Sequence, residues 1–350
     1  MFIKRITAMV LSIFFMLFIS ACSPYMDINE NEENHEPNEQ EATDSPEKTP
    51  NSGNNSQPEI TAPETELQKK DQSEEVEMLQ HAFHQIGYDI TINGIYDELT
   101  TWAVTDFQLQ HEDLMAIGIY DEETKAVLEQ YIEDNEMVEP GLGLPFTEET
   151  VSTNSGADIL ANPYDQLALI NKEYALPDNY EPEDLVIPNV QFPFTDELPK
   201  KQMREVAAIA LEEMFQAADE AGLELYAQSG YRSFDRQEAI FAANVSANGE
   251  EEANKFSARP GESEHQSGLS MDITSPEVRF KLVVEFGETD EGQWILENAA
   301  DYGFIIRYPE GKEDITKYQY EPWHLRYVGE KAAKEITEND ITLEEYLLYE

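Results

Sequence analysis

Beyond residue 111 the chain has two histidines, and each sits among side chains that can hold or serve a metal ion. His265 lies in Ser263-Glu-His-Gln-Ser-Gly-Leu-Ser-Met-Asp272, and His324 closes Glu321-Pro-Trp-His324. His265, Asp272 and His324 are three candidate ligands, with Glu321 beside them as a free carboxylate. Three protein ligands leave the fourth tetrahedral position open for water, the arrangement of a catalytic zinc site; structural zinc sites are closed and usually use cysteine. The single cysteine, Cys22, is remote in sequence. The expected chemistry is zinc-assisted hydrolysis.

The flanking pattern says which elements must bring these groups together. From Gly268 to Thr274, Leu269, Met271 and Ile273 alternate with Ser270, Asp272 and Thr274, which predicts a strand with Asp272 on its polar side. His265 falls in the loop before it. His324 opens a second strand, Leu325 to Val328, and Pro322 keeps Glu321 to His324 out of an ordinary helix interior. Phe304 to Tyr308 is also strand-like. Upstream, a long helix is expected from Leu198, with Val206, Ala207, Ile209, Ala210, Met214 and Ala217 as its buried stripe and Gly222 as its stop. A short strand, Leu223 to Ala227, leads into Ser229-Gly-Tyr-Arg-Ser233, and Ser233 can cap a helix running to about Ala247.

These segments resemble the VanY-like D-alanyl-D-alanine carboxypeptidases, a family of zinc peptidases. The resemblance rests on Ser229-Gly-Tyr-Arg-Ser233 with Gln237, Ser257-Ala-Arg-Pro-Gly-Glu-Ser-Glu-His-Gln-Ser-Gly-Leu-Ser-Met-Asp272, Gly303-Phe-Ile-Ile-Arg-Tyr-Pro309 with Gly311-Lys-Glu-Asp-Ile315, and Tyr320-Glu-Pro-Trp-His324. It spans roughly Pro188 to Gly329. It implies an α+β domain, a small antiparallel sheet packed by helices, with Zn2+ held by His265, Asp272 and His324. By the same resemblance Glu321 moves the proton of the attacking water to the leaving amine, Arg232 stabilises the oxyanion, and Gln237 and Ser263 help hold substrate.

The region from Glu75 to about Tyr131 is different. Val76, Leu79, Phe83 and Ile86 follow helical spacing up to Gly87-Tyr88. Gly94-Ile-Tyr-Asp-Glu-Leu-Thr100 then recurs as Gly118-Ile-Tyr-Asp-Glu-Glu-Thr124, each copy placing an Asp where it can cap a helix. Three short helices around one small core are expected. The segment resembles the peptidoglycan-binding module found beside cell-wall hydrolases, through Leu79-Gln80, Gly87-Tyr88, Gly94-Ile-Tyr-Asp97, Thr100, Ala103-Val104, Phe107-Gln108 and Gly118-Ile-Tyr-Asp121. His81, His84 and His111 are read as surface or packing residues.

Ahead of this module, Lys4 and Arg5 precede an apolar run from Ile6 to Ile19, the layout of a signal peptide. Ile19-Ser-Ala-Cys22 resembles a bacterial lipobox, which implies cleavage before Cys22 and a lipid on its thiol. Residues after it are rich in Asn, Glu, Pro, Ser and Thr and cannot bury enough apolar surface to order themselves. With 73 acidic against 22 basic residues, the formal net charge of -51 argues against nucleic-acid binding. The expected organisation is a lipoprotein signal peptide over 1–21, an acidic tether over 22–74, a helical peptidoglycan-binding-like module over 75–134, a linker and arm over 135–190, and a zinc peptidase domain over 191–350. The expected protein is a lipid-anchored monomer on the outer face of a bacterial cytoplasmic membrane. Its expected partners are wall glycan and peptidoglycan stem peptides. Removal of the terminal D-alanine at a D,D-bond is the favoured activity. An L,D-bond of tetrapeptide stems, cross-link cleavage and a non-catalytic wall-binding role are the alternatives.

Overall fold

A computed structural model describes residues 60–147 and 149–348. The signal peptide, Cys22 and the tether up to residue 59 lie outside the described residues. Among the described residues no helix is long and apolar enough to cross a membrane.

The duplicated turn builds the first part. Helices α1 (Glu74–Gln85), α2 (Glu98–Leu109) and α3 (Glu122–Asp134) surround a core that includes Val76, Leu79, Phe83, Val104, Phe107 and Leu128. Asp97 and Asp121 are N-caps, accepting from the backbone N–H of Thr100 and Thr124. A buried glutamine clamps each turn. Gln80 Oε1 accepts from Asn93 and Gly94 N–H at 2.8 and 2.9 Å, while its amide donates to Ile95 O and Thr100 Oγ1. Gln108 repeats the pattern on Ile117, Gly118, Ile119 and Thr124. Gly94 and Gly118 have φ of +71° and +70°, which explains why glycine opens both copies.

The module is not strung on a free linker. Asp106, fully buried on α2, accepts from Gly141, Gly143 and Leu144 N–H at 2.9, 2.9 and 2.6 Å, fixing the chain that leaves α3. Farther on, Gln166 N–H donates to Ile117 O at 2.9 Å, and Lys69 pairs with Asp165 at 2.5 Å. Arg204, only 2% exposed, donates to Asp184 Oδ1 and Oδ2, to Tyr164 O and across to Ala116 O at 2.7 Å. Arg204→Ala should therefore lower stability by about 1.5–3 kcal/mol, the scale of a charged hydrogen bond. Urea unfolding with a probe in each part checks this; an unchanged midpoint would mean that the contact is dispensable.

The second part is α+β. Two-residue strands β1 (Asp158–Ile159) and β2 (Tyr174–Ala175) pair in parallel, and β3 (Leu185–Val186) pairs antiparallel with β4 (Met203–Arg204). The main sheet is antiparallel, in the order β5 (Tyr226–Ser229), β6 (Ser270–Thr274), β8 (His324–Tyr327), β7 (Phe304–Ile306). Among the described residues, helices α4 (Glu205–Glu220), α5 (Phe234–Asn248), α6 (Glu250–Phe256), α7 (Asp290–Asn298), α9 (Glu330–Glu338) and α10 (Leu343–Leu348) complete the domain, with the single turn α8 (Glu313–Thr316) before β8. One face of the sheet, through Met271, Ile273 and Leu325, packs on Ala207, Leu211, Met214 and Ala218 of α4. Each fully buried large apolar side chain there contributes on the order of 1.5–3 kcal/mol.

Helix α4 departs from expectation in two respects. It starts at Glu205, because Arg204 is extended, with its N–H bonded to Gly268 O, and lies in β4. Its buried stripe is Ala207, Ala208, Leu211, Met214, Phe215 and Ala218, while Ile209 is 51% exposed. The i, i+4, i+7, i+11 rows through Ala207 and Leu211 hold more apolar volume than rows through Ile209, and the sheet takes the larger face.

Candidate metal centre and active site

Register makes the site. On β6 and β8, Asp272 and His324 are directly opposed, so their side chains leave the same face of the sheet. His265 arrives from a 3-10 turn, Glu264–Ser267, which Gly268 closes in the left-handed conformation at φ +71°. Arg232 N–H donates to His265 O at 3.0 Å, tying that turn to the segment after β5. Gly230 is obligatory here, because a Cβ would lie 2.3 Å from Gln202 O. Between Ala227 and Ser229 the β5–β6 register shifts by a bulge, which re-aims the chain toward the site.

Among the described residues, the group of three or more His, Cys, Asp or Glu side chains able to share an ion is His265, Asp272 and His324. Their donor atoms lie within 4.8 Å of one another and all three residues are buried. His265 Nδ1 is 2.9 Å from Gly230 O, so that nitrogen carries the proton and Nε2 turns to Asp272 Oδ2, 3.5 Å away. His324 is oriented the other way, with Nδ1 2.9 Å from Asp272 Oδ1. Tyr308 stacks on the His324 ring at 5.1 Å between centroids. Two imidazole nitrogens and one carboxylate, converging and desolvated, suit a divalent ion such as zinc. His111 is engaged elsewhere, between Phe107 O and the Tyr131 hydroxyl.

A cavity of about 230 Å³ opens on these groups, and its lining also includes Arg232, Gln237, Ser263 and Glu321. Glu321 sits in the turn anticipated from Pro322: its N–H donates to Tyr308 O, and its carbonyl accepts from His324 N–H at 3.1 Å. Burial pushes the Glu321 carboxyl up to about 7; His324 and Arg232 oppose the rise, and Asp272 adds to it. Arg232 donates through Nη1 to Gln237 Oε1 at 2.9 Å, and Gln237 donates its amide to Ala258 O at 2.6 Å. Both ends of Gln237 are thus taken by protein groups. Burial brings the Arg232 guanidinium below its ordinary value. Among the described residues lining the cavity, Arg232 is the one lysine or arginine.

The two imidazoles titrate in opposite directions. Burial, helped by Arg232, lowers His265 to about 3. Burial also works against charge on His324, but Asp272 and Glu264 outweigh it and raise the ring to about 9. Glu264 received no role from the sequence, although it sits beside His265. It is fully buried between Arg307 and Arg326, whose charges overcome the effect of burial and hold its carboxyl well below the usual range. The one available signal was an arginine breaking each apolar strand run, Ile306-Arg307-Tyr308 and Leu325-Arg326-Tyr327.

The fold and this buried donor set are those of a metallopeptidase class, and the comparisons identify it: the chain belongs to the VanY D-alanyl-D-alanine carboxypeptidase family, whose model matches residues 200–330. Residues 72–128 match the peptidoglycan-binding domain family. YodJ of Bacillus subtilis (strain 168), provisionally named a carboxypeptidase, is 59% identical over 191 residues, 55% of this chain and 70% of YodJ. The bifunctional D-Ala-D-Ala dipeptidase and carboxypeptidase VanXYC of Enterococcus gallinarum is 36% identical over 189 residues, 51% of this chain and 92% of VanXYC. The solved LD-carboxypeptidase LdcB is 57% identical, with a TM-score of 0.55 over 57% of this chain and 92% of LdcB.

Proposed function

We propose that this protein is a zinc-dependent carboxypeptidase that removes the terminal D-alanine from peptidoglycan stem peptides. The observation that carries the reading is the buried convergence of His265, Asp272 and His324 beside a free carboxylate, Glu321. His265, Asp272 and His324 would hold the ion, which supplies a Lewis acid for the scissile carbonyl and lowers the pKa of water. Glu321, near neutrality through burial, takes the proton of the attacking water and delivers it to the amine as the C–N bond breaks. Arg232 faces the oxygen that gains negative charge. Gln237, bonded at both ends, holds the Arg232 fork in place, and Ser263 contributes to the substrate wall.

Arg232→Ala should keep zinc and lose turnover by roughly 10²–10³-fold, as for a lost oxyanion donor. Arg232→Lys should recover only part, because an ammonium does not reproduce the planar fork. Rate and metal content measured on one preparation check this; full activity in Arg232→Ala would remove it from the mechanism.

The favoured bond shifts from the D,D-link expected above to the L,D-link of tetrapeptide stems. That preference is supported by the 57% identity to an LD-carboxypeptidase, against 42% over 121 residues and 36% over 189 residues to two D-Ala-D-Ala enzymes. Mass spectrometry of defined tetra- and pentapeptide stems, incubated with the zinc-loaded chain, tests it. Faster shortening of the pentapeptide would restore the D,D reading, and internal cleavage would favour an endopeptidase.

The helical module is proposed to hold wall glycan while fixed to the peptidase, and Cys22 to anchor the chain by lipid outside the cytoplasmic membrane. Cell fractionation of Cys22→Ala checks the anchor: release into the medium is expected, and retention equal to the unsubstituted chain would contradict it.

A further inference from the structure

Acidic residues outnumber basic ones 73 to 22, so a cation left without a carboxylate partner calls for a reason. Three such cations gather beside the metal centre: Arg232, Arg236 and Lys200. Among the described residues none of the three makes an ion pair. Arg232 lines the cavity, and the other two lie outside it. The Lys200 backbone is tied to the centre: its carbonyl accepts from Gly230 N–H at 2.6 Å, and Gly230 O meets His265 Nδ1 at 2.9 Å. Its ammonium lies 3.8 Å from the centroid of the Phe194 ring, with Phe192 5.8 Å from that ring. An aromatic face holds a cation in place without neutralising it. The neighbouring Lys201 shows the alternative, buried and paired with Glu197 at 3.1 Å. Arg236 is exposed on the first turn of α5, four residues after Arg232.

The three charges reach one another. Burial lowers the Lys200 ammonium; Asp272 opposes that fall and Arg232 adds to it. Burial lowers Arg232 too, with Asp272 opposing, Arg236 adding and Glu321 opposing. Like charges held together without counter-charge raise the local concentration of an anion. The residue to be removed would occupy the cavity with Arg232, so the charge outside it falls to the part of the stem upstream of the scissile bond. We propose that Lys200 and Arg236 are specificity-determining residues that bind a second carboxylate of the stem peptide, upstream of the scissile bond, and so favour stems in which that group is ionised over stems in which it is amidated. This rests on the chain being a stem-peptide carboxypeptidase.

The test uses two stem peptides that differ only in that upstream carboxyl, free in one and amidated in the other. KM and kcat are measured for both with the zinc-loaded full chain, Lys200→Gln and Arg236→Gln. KM for the free-acid stem should rise by roughly 2–5-fold in each variant, the range of one part-exposed ion pair. Zinc content, kcat and the KM of the amidated stem should hold. In the unsubstituted chain the free-acid stem should have the lower KM, and that advantage should fade as salt rises. A KM that rises equally for both stems would place these cations on the terminal carboxylate that the stems share and overturn the proposal. An unchanged KM in both variants, or equal KM for the two stems in the unsubstituted chain, would overturn it while leaving the carboxypeptidase activity intact. If the unsubstituted chain shortens neither stem, the activity itself is refuted and the proposal falls with it.

Discussion

Glu321→Gln is expected to keep its zinc and lose turnover by about 10²–10⁴-fold, the range of a lost general acid–base group. The substitution preserves size and leaves the backbone of the turn unchanged, including the N–H bonded to Tyr308 O and the carbonyl that receives His324 N–H. What it removes is a proton acceptor whose burial places it near neutrality. Metal content and single-turnover rate on the same preparation separate the outcomes. Loss of zinc would make Glu321 a ligand and put the base elsewhere. Retention of both zinc and full rate would refute the assigned role.

His265→Ala should abolish stoichiometric zinc binding and bring turnover down to that of the chelated, unsubstituted chain. One of three buried donors disappears, and the remaining Asp272–His324 pair is satisfied by its own 2.9 Å contact. The fold should survive, because the 3-10 turn keeps the backbone bonds made by Arg232, Gln266 and Gly268. Metal analysis after dialysis, with circular dichroism as the control for folding, checks both points. Unchanged zinc content in the folded variant would remove His265 from the centre.

Most of the geometry near the site was legible in the sequence for simple reasons. Alternation over Leu269 to Thr274 placed Asp272 on the polar side, and Pro322 forced a turn ahead of His324. The Gly-Ile-Tyr-Asp repeats announced two capped helices. Other features were hidden because their determinants are tertiary. A stripe of alanines along α4 cannot say which rows meet the sheet until the sheet is present. Asp106 and Arg204 look like ordinary surface charges, yet each gathers backbone groups from segments far along the chain. Glu264 is one more acidic residue among 73 until β7 and β8 bring Arg307 and Arg326 to it.

A hydrolytic centre of one ion held by His265, Asp272 and His324 is tested by stripping metal from the full chain and returning zinc in fractions of an equivalent. Release of D-alanine from stem peptides should vanish on chelation. It should then return in proportion to zinc and level off at one ion per chain. Release that persists after complete removal of metal, or that needs a second equivalent to appear, would contradict a one-ion hydrolytic centre.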